Sequence, residues 1–510
     1  MDISEVVKDL QLASTTGALS GEVSSVCYNS RSCEENSLFV AVSGLSTDGH
    51  NFIDDAIRRG TRWIVHEKPF SPPEQITALK VDDSRRALGI AARNFYGHPS
   101  SELCLIGVTG TNGKTTVTYL LESIVAAADL RPGVLGTVNY RFGGQTFPAP
   151  NTTPESLEFQ KILRQMVNAG VTHCISEVSS HALDLGRVDD CDFDVAVFTN
   201  LSQDHLDYHL SMERYYEAKQ RFFLELLPKS HKHNAYGTII NGDDPWGKKL
   251  IAACGGAGLT FGLDSGSDVR AEQFNLTLEG IEARVRVPGQ MLRITSPLIG
   301  RFNLYNILTA AAAAFAVGIC PSAIERGVAN MKGVPGRMEK VSRPDEPHVF
   351  VDYAHTDDAL RKAIENLLGF GNSRIITVFG CGGDRDRGKR PLMGFVAATL
   401  SDVVIVTSDN PRSEEPLSII GQIEDGVLRK DITKITKAEL SSARKGKAYC
   451  IIPDRREAIE TAVMAAEPGD IVLIAGKGHE DYQIIGKERL FFDDRIVARE
   501  SLNMRSEVRS

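Results

Sequence analysis

A chain of 510 residues exceeds what one hydrophobic core usually organises, so two to four domains are expected. Its 42% hydrophobic and 24% charged residues are those of an ordinary globular protein. The formal charge of −9 offers no overall attraction for nucleic acid or an anionic membrane surface. Nine dispersed cysteines, none in a Cys-x-x-Cys pair, suit a reducing cytosol. The opening Met1-Asp2-Ile3-Ser4-Glu5 lacks the basic start and apolar core of a signal peptide. The longest apolar run, Ile307 to Ile319, is too short to span a bilayer and reads as a packed helix. A cytoplasmic location is expected.

In chain order, Leu38 to Val42 reads as a strand and Asp54 to Arg59 as a helix, and Gly97-His98-Pro99 punctuates the chain. From Leu103 the pattern becomes apolar strand, Gly-rich loop, then a helix over Val117 to Ala128. Buried strands are predicted at His173 to Glu177, Val195 to Thr199 and Gly237 to Asn241, with a helix over Met212 to Phe223. Alternation between Thr260 and Ile299 predicts a small antiparallel insert, and Gly333 to Arg337 marks a second boundary. The last third predicts strands at His348 to Asp352, Ile375 to Phe379, Val403 to Thr407 and Ile471 to Ala475, alternating with helices. The expected fold is α/β, with mostly parallel sheets that bind ligands at their carboxyl ends, in three domains over 1–100, 101–337 and 338–510.

Gly110-Thr111-Asn112-Gly113-Lys114-Thr115-Thr116 is the strongest single signal. Glycines let backbone amides close around phosphate oxygens, and the following helix adds positive potential. Lys114 can reach the β- and γ-phosphates, and the Thr115 hydroxyl can bind Mg²⁺. The strict Walker spacing wants glycine where Val108 stands, so an incidental Gly-rich turn is the alternative.

This loop variant looks like that of the Mur ligases and their relatives, the folylpolyglutamate synthetases. Further matching stretches are Asn151 to Pro154, Glu177 to His181, Asn200 to His209, Tyr216 to Lys219, Gly300 to Asn303, Gly336 to Glu339 and Asp352 to His355. Asp409 to Arg412, Gly476 to Glu480 and Phe492 to Arg495 complete the series, and their common order makes the resemblance specific. It is closest to the branch that installs the third peptide residue of a UDP-linked peptidoglycan precursor.

The resemblance implies an N-terminal UDP-binding domain, a central P-loop-type ATPase and a C-terminal Rossmann-like amino-acid domain, acting as a cytoplasmic monomer. It implies that ATP phosphorylates the D-glutamyl γ-carboxylate of UDP-N-acetylmuramoyl-L-Ala-D-Glu, and that an incoming amine then attacks the acyl phosphate. Thr115 and Glu177 are the implied ligands of one Mg²⁺, and His205 resembles the ligand of another. Lys219 matches a lysine that CO₂ carbamylates into an anion supporting the second metal. Taken singly, Glu177 reads as an exposed strand-end carboxylate, His205 as structural and Lys219 as a solvated charge.

Asn303 resembles a residue near adenine, Arg337 one near the triphosphate and Asp352 one near ribose. For the UDP precursor the resemblance implies Ser30, Thr152, Thr153, Ser179 and Arg187, with Leu45-Ser46-Thr47 as a weaker candidate loop. Asn29 and Thr356-Asp357-Asp358 depart from the family's usual Asp and Thr-Pro-Asp, the latter implying a looser turn, and Leu185 stands where some relatives have glutamine.

Asp409-Asn410-Pro411-Arg412 resembles the subgroup that adds meso-diaminopimelate. A guanidinium reads the far carboxylate that lysine lacks. Arg385, Gly476 and Glu480 resemble the rest of that pocket. The alternatives are a lysine-adding sister, a folate-tail glutamate ligase, an oxidoreductase using the half-fingerprint Gly380-Cys381-Gly382-Gly383, and a non-catalytic nucleotide-binding scaffold.

Overall fold

The computed structural model describes residues 1–44, 47–232, 235–371, 373–441, 443 and 447–509. It has a three-domain α/β architecture with three principal sheets, each mostly parallel. By contact the chain divides into two compact units, the first holding the N-terminal sheet and most of the second sheet, and the second holding the C-terminal sheet together with Phe274–Ala283 and Ile294–Leu304.

The first sheet runs in the order Leu12–Thr16, Thr77–Val81, Trp63–His66, Leu38–Val40, Val26–Cys27, and only the first strand is antiparallel. Trp63, Leu38, Val40 and Leu79 bury its face against the helix Ser84–Phe95.

The parallel heart of the second sheet orders Leu259–Gly262, Thr238–Asn241, Val195–Phe198, Cys104–Thr109, His173–Glu177 and Pro132–Leu135. Near-continuous apolar strands of this kind are buried on both faces. Cys104–Thr109 is central, so the loop after it opens at the carboxyl ends of the sheet, where α/β folds place ligands. The helix after that loop, Lys114–Ala127, starts three residues earlier than periodicity indicated, because its polar first turn carries no apolar signal. The region predicted as a β insert forms the strands Val269–Thr277, Gly280–Val287 and Gln290–Ser296, and the alanine-rich run lies in the helix Arg301–Ala316.

The C-terminal sheet orders Glu339–Lys340, His348–Asp352, Ile471–Ala475, Ile375–Phe379, Val403–Val406, Ala448–Ile451 and Thr433–Lys434. All pairings but the first are parallel. Asp357 takes the first turn of the helix Asp357–Leu368, which Thr356 caps by accepting from the Ala359 N–H at 3.3 Å. That turn is capped, and proline and an acidic residue both suit a helix start. Among the described residues no helix is long and apolar enough to cross a membrane.

Candidate active site

Gly110 and Gly113 hold the candidate phosphate loop in backbone conformations with φ of +139° and +88°. A Cβ on Gly110 would lie 1.9 Å from Thr199 Oγ1, and one on Gly113 would lie 2.4 Å from Asn306 Oδ1. Only glycine fits either place. The segment after Val195–Phe198 braces the loop from below. Thr111 N–H donates to the Asn200 carbonyl at 2.9 Å, Asn112 N–H to Asn200 Oδ1 at 3.0 Å, and Thr199 Oγ1 to the Asn112 carbonyl at 2.6 Å. Lys114 Nζ curls back to the carbonyls of Gly110 and Thr111, 2.9 Å each.

Beneath this loop lie two buried ionisable groups. Glu177 closes the strand His173–Glu177 with 1% exposure, so it is not the exposed strand-end carboxylate that its position alone suggests. Its Oε2 accepts from Thr115 Oγ1 at 3.2 Å and from Thr137 Oγ1 at 2.9 Å, while Oε1 accepts from the Thr137 N–H at 2.9 Å. Lys219, also 1% exposed, donates to the Gly110 carbonyl at 3.0 Å and to Thr109 Oγ1 at 3.3 Å, with its ammonium 4.7 Å from the Tyr215 ring centre. Burial, reinforced by the neighbouring Lys114 charge, pushes the Lys219 amine well below the usual lysine range. His205 has a more exposed side chain, its ring 5.0 Å from that of His181.

The precursor candidates join the same network. Thr152 Oγ1 lies 3.1 Å from Thr137 Oγ1, and Thr153 Oγ1 donates to the Glu177 carbonyl at 2.8 Å. Ser179 N–H donates to Thr153 Oγ1 at 3.0 Å, and Arg187 Nη1 to the Thr153 carbonyl at 3.1 Å. Arg187 Nε also lies 3.4 Å from Glu155 Oε2. Ser30 is not among these contacts; it opens the turn Ser30–Ser32, where Asn29 Oδ1 accepts from the Arg31 N–H at 3.1 Å. Asparagine thus caps this turn as aspartate would. Leu45 and Ser46 lie outside the described residues.

In the second unit, Asn303 is buried and donates Nδ2 to the Ile299 carbonyl at 2.9 Å. Arg337 lies over the Tyr353 ring at 4.7 Å, and Asp352 accepts from the N–H groups of Met338 and Ala354 at 2.7 and 2.9 Å. Burial raises the Asp352 carboxyl above its ordinary range, with Arg337 opposing.

Three loops meet at the carboxyl ends of the strands Ile375–Phe379, Val403–Val406 and Ile471–Ala475. Asn410 Nδ2 donates to Glu480 Oε2 at 3.0 Å, and Asn410 Oδ1 accepts from Lys477 Nζ at 3.1 Å and the Ile484 N–H at 2.9 Å. Arg412 Nη1 donates to the Gly383 carbonyl at 2.8 Å. A Cβ on Gly382 would meet both Arg412 Nη1, at 2.9 Å, and Arg385 Cγ, at 3.8 Å, so the two arginines flank one glycine. Gly476, with φ of +117°, would carry a Cβ 2.9 Å from Asp409 Oδ2. Burial raises the Glu480 carboxyl, with Lys477 opposing. The half-fingerprint glycines are spent on packing: a Cβ on Gly383 would strike the Pro411 carbonyl at 1.8 Å.

Sequence reasoning missed Thr137, Asn306, Arg390, Arg455 and Lys477. Arg390 is fully buried and bonds Glu414 at 2.8 and 3.0 Å and the Gly382 carbonyl at 3.2 Å. Lys477 alone was within reach of the motif reading, lying inside Gly476 to Glu480.

A glycine-built loop at a helix N-terminus, over a buried carboxylate and a buried lysine on a three-domain α/β frame, fits the class of nucleotide-dependent phosphoryl-transfer enzymes. Three family models cover the chain: a Mur ligase family catalytic domain over residues 22–96, a Mur ligase middle domain over 108–314, and a Mur ligase glutamate ligase domain over 336–478. The chain belongs to the Mur ligase family. A relative from Geobacter metallireducens, named UDP-N-acetylmuramoyl-L-alanyl-D-glutamate–2,6-diaminopimelate ligase, is 46% identical across 97% of each chain. One of the same name from Geobacillus thermodenitrificans is 45% identical across 94% of each. A solved structure of a protein of that name covers 99% of both chains with a TM-score of 0.70 and 31% identity. A Mycobacterium tuberculosis folylpolyglutamate synthase complexed with ADP and AMPPCP shares the fold, with a TM-score of 0.59, 17% identity and coverage of 77% of this chain and 92% of its own.

Proposed function

We propose that this chain uses ATP to join meso-2,6-diaminopimelate to the D-glutamyl γ-carboxylate of UDP-N-acetylmuramoyl-L-Ala-D-Glu, through an acyl phosphate. The observation that carries this reading is the junction of Asn410, Arg412 and Glu480 in a chain 46% identical, nearly end to end, to a relative named for that reaction. The folate-tail alternative is disfavoured, because the structure of that class covers 77% of the chain rather than 99%.

A carboxylate attacking a triphosphate brings two anions together, so positioning and charge neutralisation set the rate. Gly110 to Thr116 cradle the phosphates with backbone N–H groups, and Lys114 turns from its own loop carbonyls toward the transferred phosphoryl group. Thr152, Thr153, Ser179 and Arg187 orient the muramoyl peptide, and Ser30 contributes to the uridine end. Asn303 and Asp352 serve the adenosine moiety and Arg337 the triphosphate.

Glu177 and Thr115 present oxygen atoms, the donor set that hard Mg²⁺ prefers alongside substrate phosphates. His205 and Lys219, the latter as a carbamate, would hold a second ion. A bound Mg²⁺ supplies charge neutralisation between the two anions. Lys219 fits that modification because it is a buried amine which, among the described residues, bonds a carbonyl and a hydroxyl rather than a carboxylate.

Asp409, Asn410 and Glu480 take the ammonium end of the amino acid, and Arg385 and Arg412 its distal carboxylate, with Pro411 and Gly476 shaping the pocket. The proposed domain limits remain 1–100, 101–337 and 338–510, with the enzyme a cytoplasmic monomer. Phosphate release tests the assignment: it should require ATP, Mg²⁺ and the UDP-muramoyl dipeptide, and proceed with meso-diaminopimelate but barely with L-lysine. Equal release with both amino acids would remove the specificity.

A further inference from the structure

Two loops carry the residues assigned above to the amino acid: 407–412, with Asp409, Asn410 and Arg412, and 475–480, with Gly476 and Glu480. One buried side chain is bonded to the base of both. Arg455, the first residue of the helix Arg455–Ala465, donates Nη1 to the Ser408 carbonyl at 3.4 Å and Nη2 to the Ala475 carbonyl at 3.0 Å. Its Nε and Nη2 pair with the two oxygens of Asp494 at 2.8 and 2.7 Å, and both side chains have no solvent exposure.

A buried ion pair is a poor device for stability, because desolvating both charges offsets most of their attraction. What this pair provides is registration. A guanidinium fixed bidentately by Asp494 presents its remaining donors in one direction, and lysine in its place could not serve four acceptors at once. The acceptors it reaches belong to the residues immediately before Asp409 and Gly476. Those two touch: the missing Cβ of Gly476 would sit 2.9 Å from Asp409 Oδ2 and 4.0 Å from Arg455 Nη2. The Arg455 charge also faces Asp409 and Glu480.

We infer that Arg455, clamped by Asp494, is a positioning residue for amino-acid recognition: it sets the spacing of the two loops and hence the placement of Asp409, Asn410 and Glu480. The inference rests on the proposed function, and the wild-type enzyme separates the two. Failure of the wild type to turn over meso-diaminopimelate overturns the functional reading itself, and this inference with it.

With turnover established, Asp494→Asn frees the guanidinium to be captured by Asp409. It should raise KM for meso-diaminopimelate by roughly 10- to 100-fold while KM for ATP and for the UDP precursor stays within about twofold. A second variant guards against simple unfolding. Arg455→Met combined with Asp494→Leu replaces the pair by apolar side chains, an exchange that commonly preserves or raises stability. It removes the tethers to Ser408 and Ala475, so it should retain a wild-type melting temperature yet show the same selective rise in KM. Arg455→Lys should not restore it. An unchanged KM for meso-diaminopimelate in the folded double variant, or a parallel shift of all three KM values, overturns the positioning role.

Discussion

Lys219 Nζ donates to the Gly110 carbonyl at 3.0 Å, which places a buried amine directly against the loop proposed to cradle phosphate. A lysine there would normally be an expensive charge, since burial disfavours the ammonium form. A neutral amine is the form that adds CO₂.

Activity should therefore depend on dissolved CO₂. Enzyme prepared and assayed in CO₂-stripped buffer should lose most of its turnover and recover it on adding bicarbonate. Lys219→Ala should lose at least about 100-fold in kcat without such recovery. A carbamate carbon signal in ¹³C-bicarbonate, absent from Lys219→Ala, would locate the modification; full activity without CO₂ would refute it.

Thr137 offers both its N–H and its hydroxyl to Glu177. Thr137→Val keeps the N–H and the volume and removes the hydroxyl. It should raise the Mg²⁺ concentration for half-maximal activity by roughly 10-fold, the usual cost of losing a group that orients a metal ligand. A magnesium titration at saturating ATP checks this, and an unchanged midpoint counts against Glu177 as a ligand.

Arg412 is held in a left-handed conformation, φ +53°, with its guanidinium beside Gly382 and Gly383. Arg412→Ala should raise KM for meso-diaminopimelate by about 100-fold or more and leave ATP binding intact, since a charged contact discriminates far more than a methylene does. Competition between meso-diaminopimelate and L-lysine measures the lost selectivity.

Asp190 gives a stability prediction. Burial raises its carboxyl from 3.8 to about 6, with the charges of Arg93, 3.9 Å away, and Arg86 opposing. A carboxyl raised on folding favours the native state fully below its unfolded value, and that contribution is lost as pH rises through about 6. Asp190→Asn should therefore stabilise the protein above pH 6 by up to about 3 kcal/mol, and the gain should vanish near pH 3.5. Melting temperatures across that range check the sign.

The α/β order was legible because buried parallel strands write themselves as short apolar runs. His348–Asp352, Ile375–Phe379 and Ile471–Ala475 have the limits read from the sequence. The helix predicted to Phe223 ends at Arg221 and passes into a π-helical turn, Phe222–Leu226, because i to i+5 bonding does not alter the apolar pattern that marks a helix. The strand–loop–helix geometry around Lys114 was legible from chemistry, since glycine, lysine and threonine in that order have one strong use. Thr137, Arg390 and Arg455 were not. Each works through a backbone or carboxylate distant in sequence, and a lone threonine or arginine gives no pattern until the chain has brought its partner close.

The most direct test of the central claim is the mass of the product. The protein is incubated with ATP, Mg²⁺ and UDP-N-acetylmuramoyl-L-Ala-D-Glu, and offered meso-diaminopimelate and L-lysine together. One new species is expected, heavier by a diaminopimelyl residue attached at the D-glutamyl side chain, with ADP and phosphate formed in equal amount. A lysine adduct as the main species, or ATP consumed with no growth of the precursor, would contradict it.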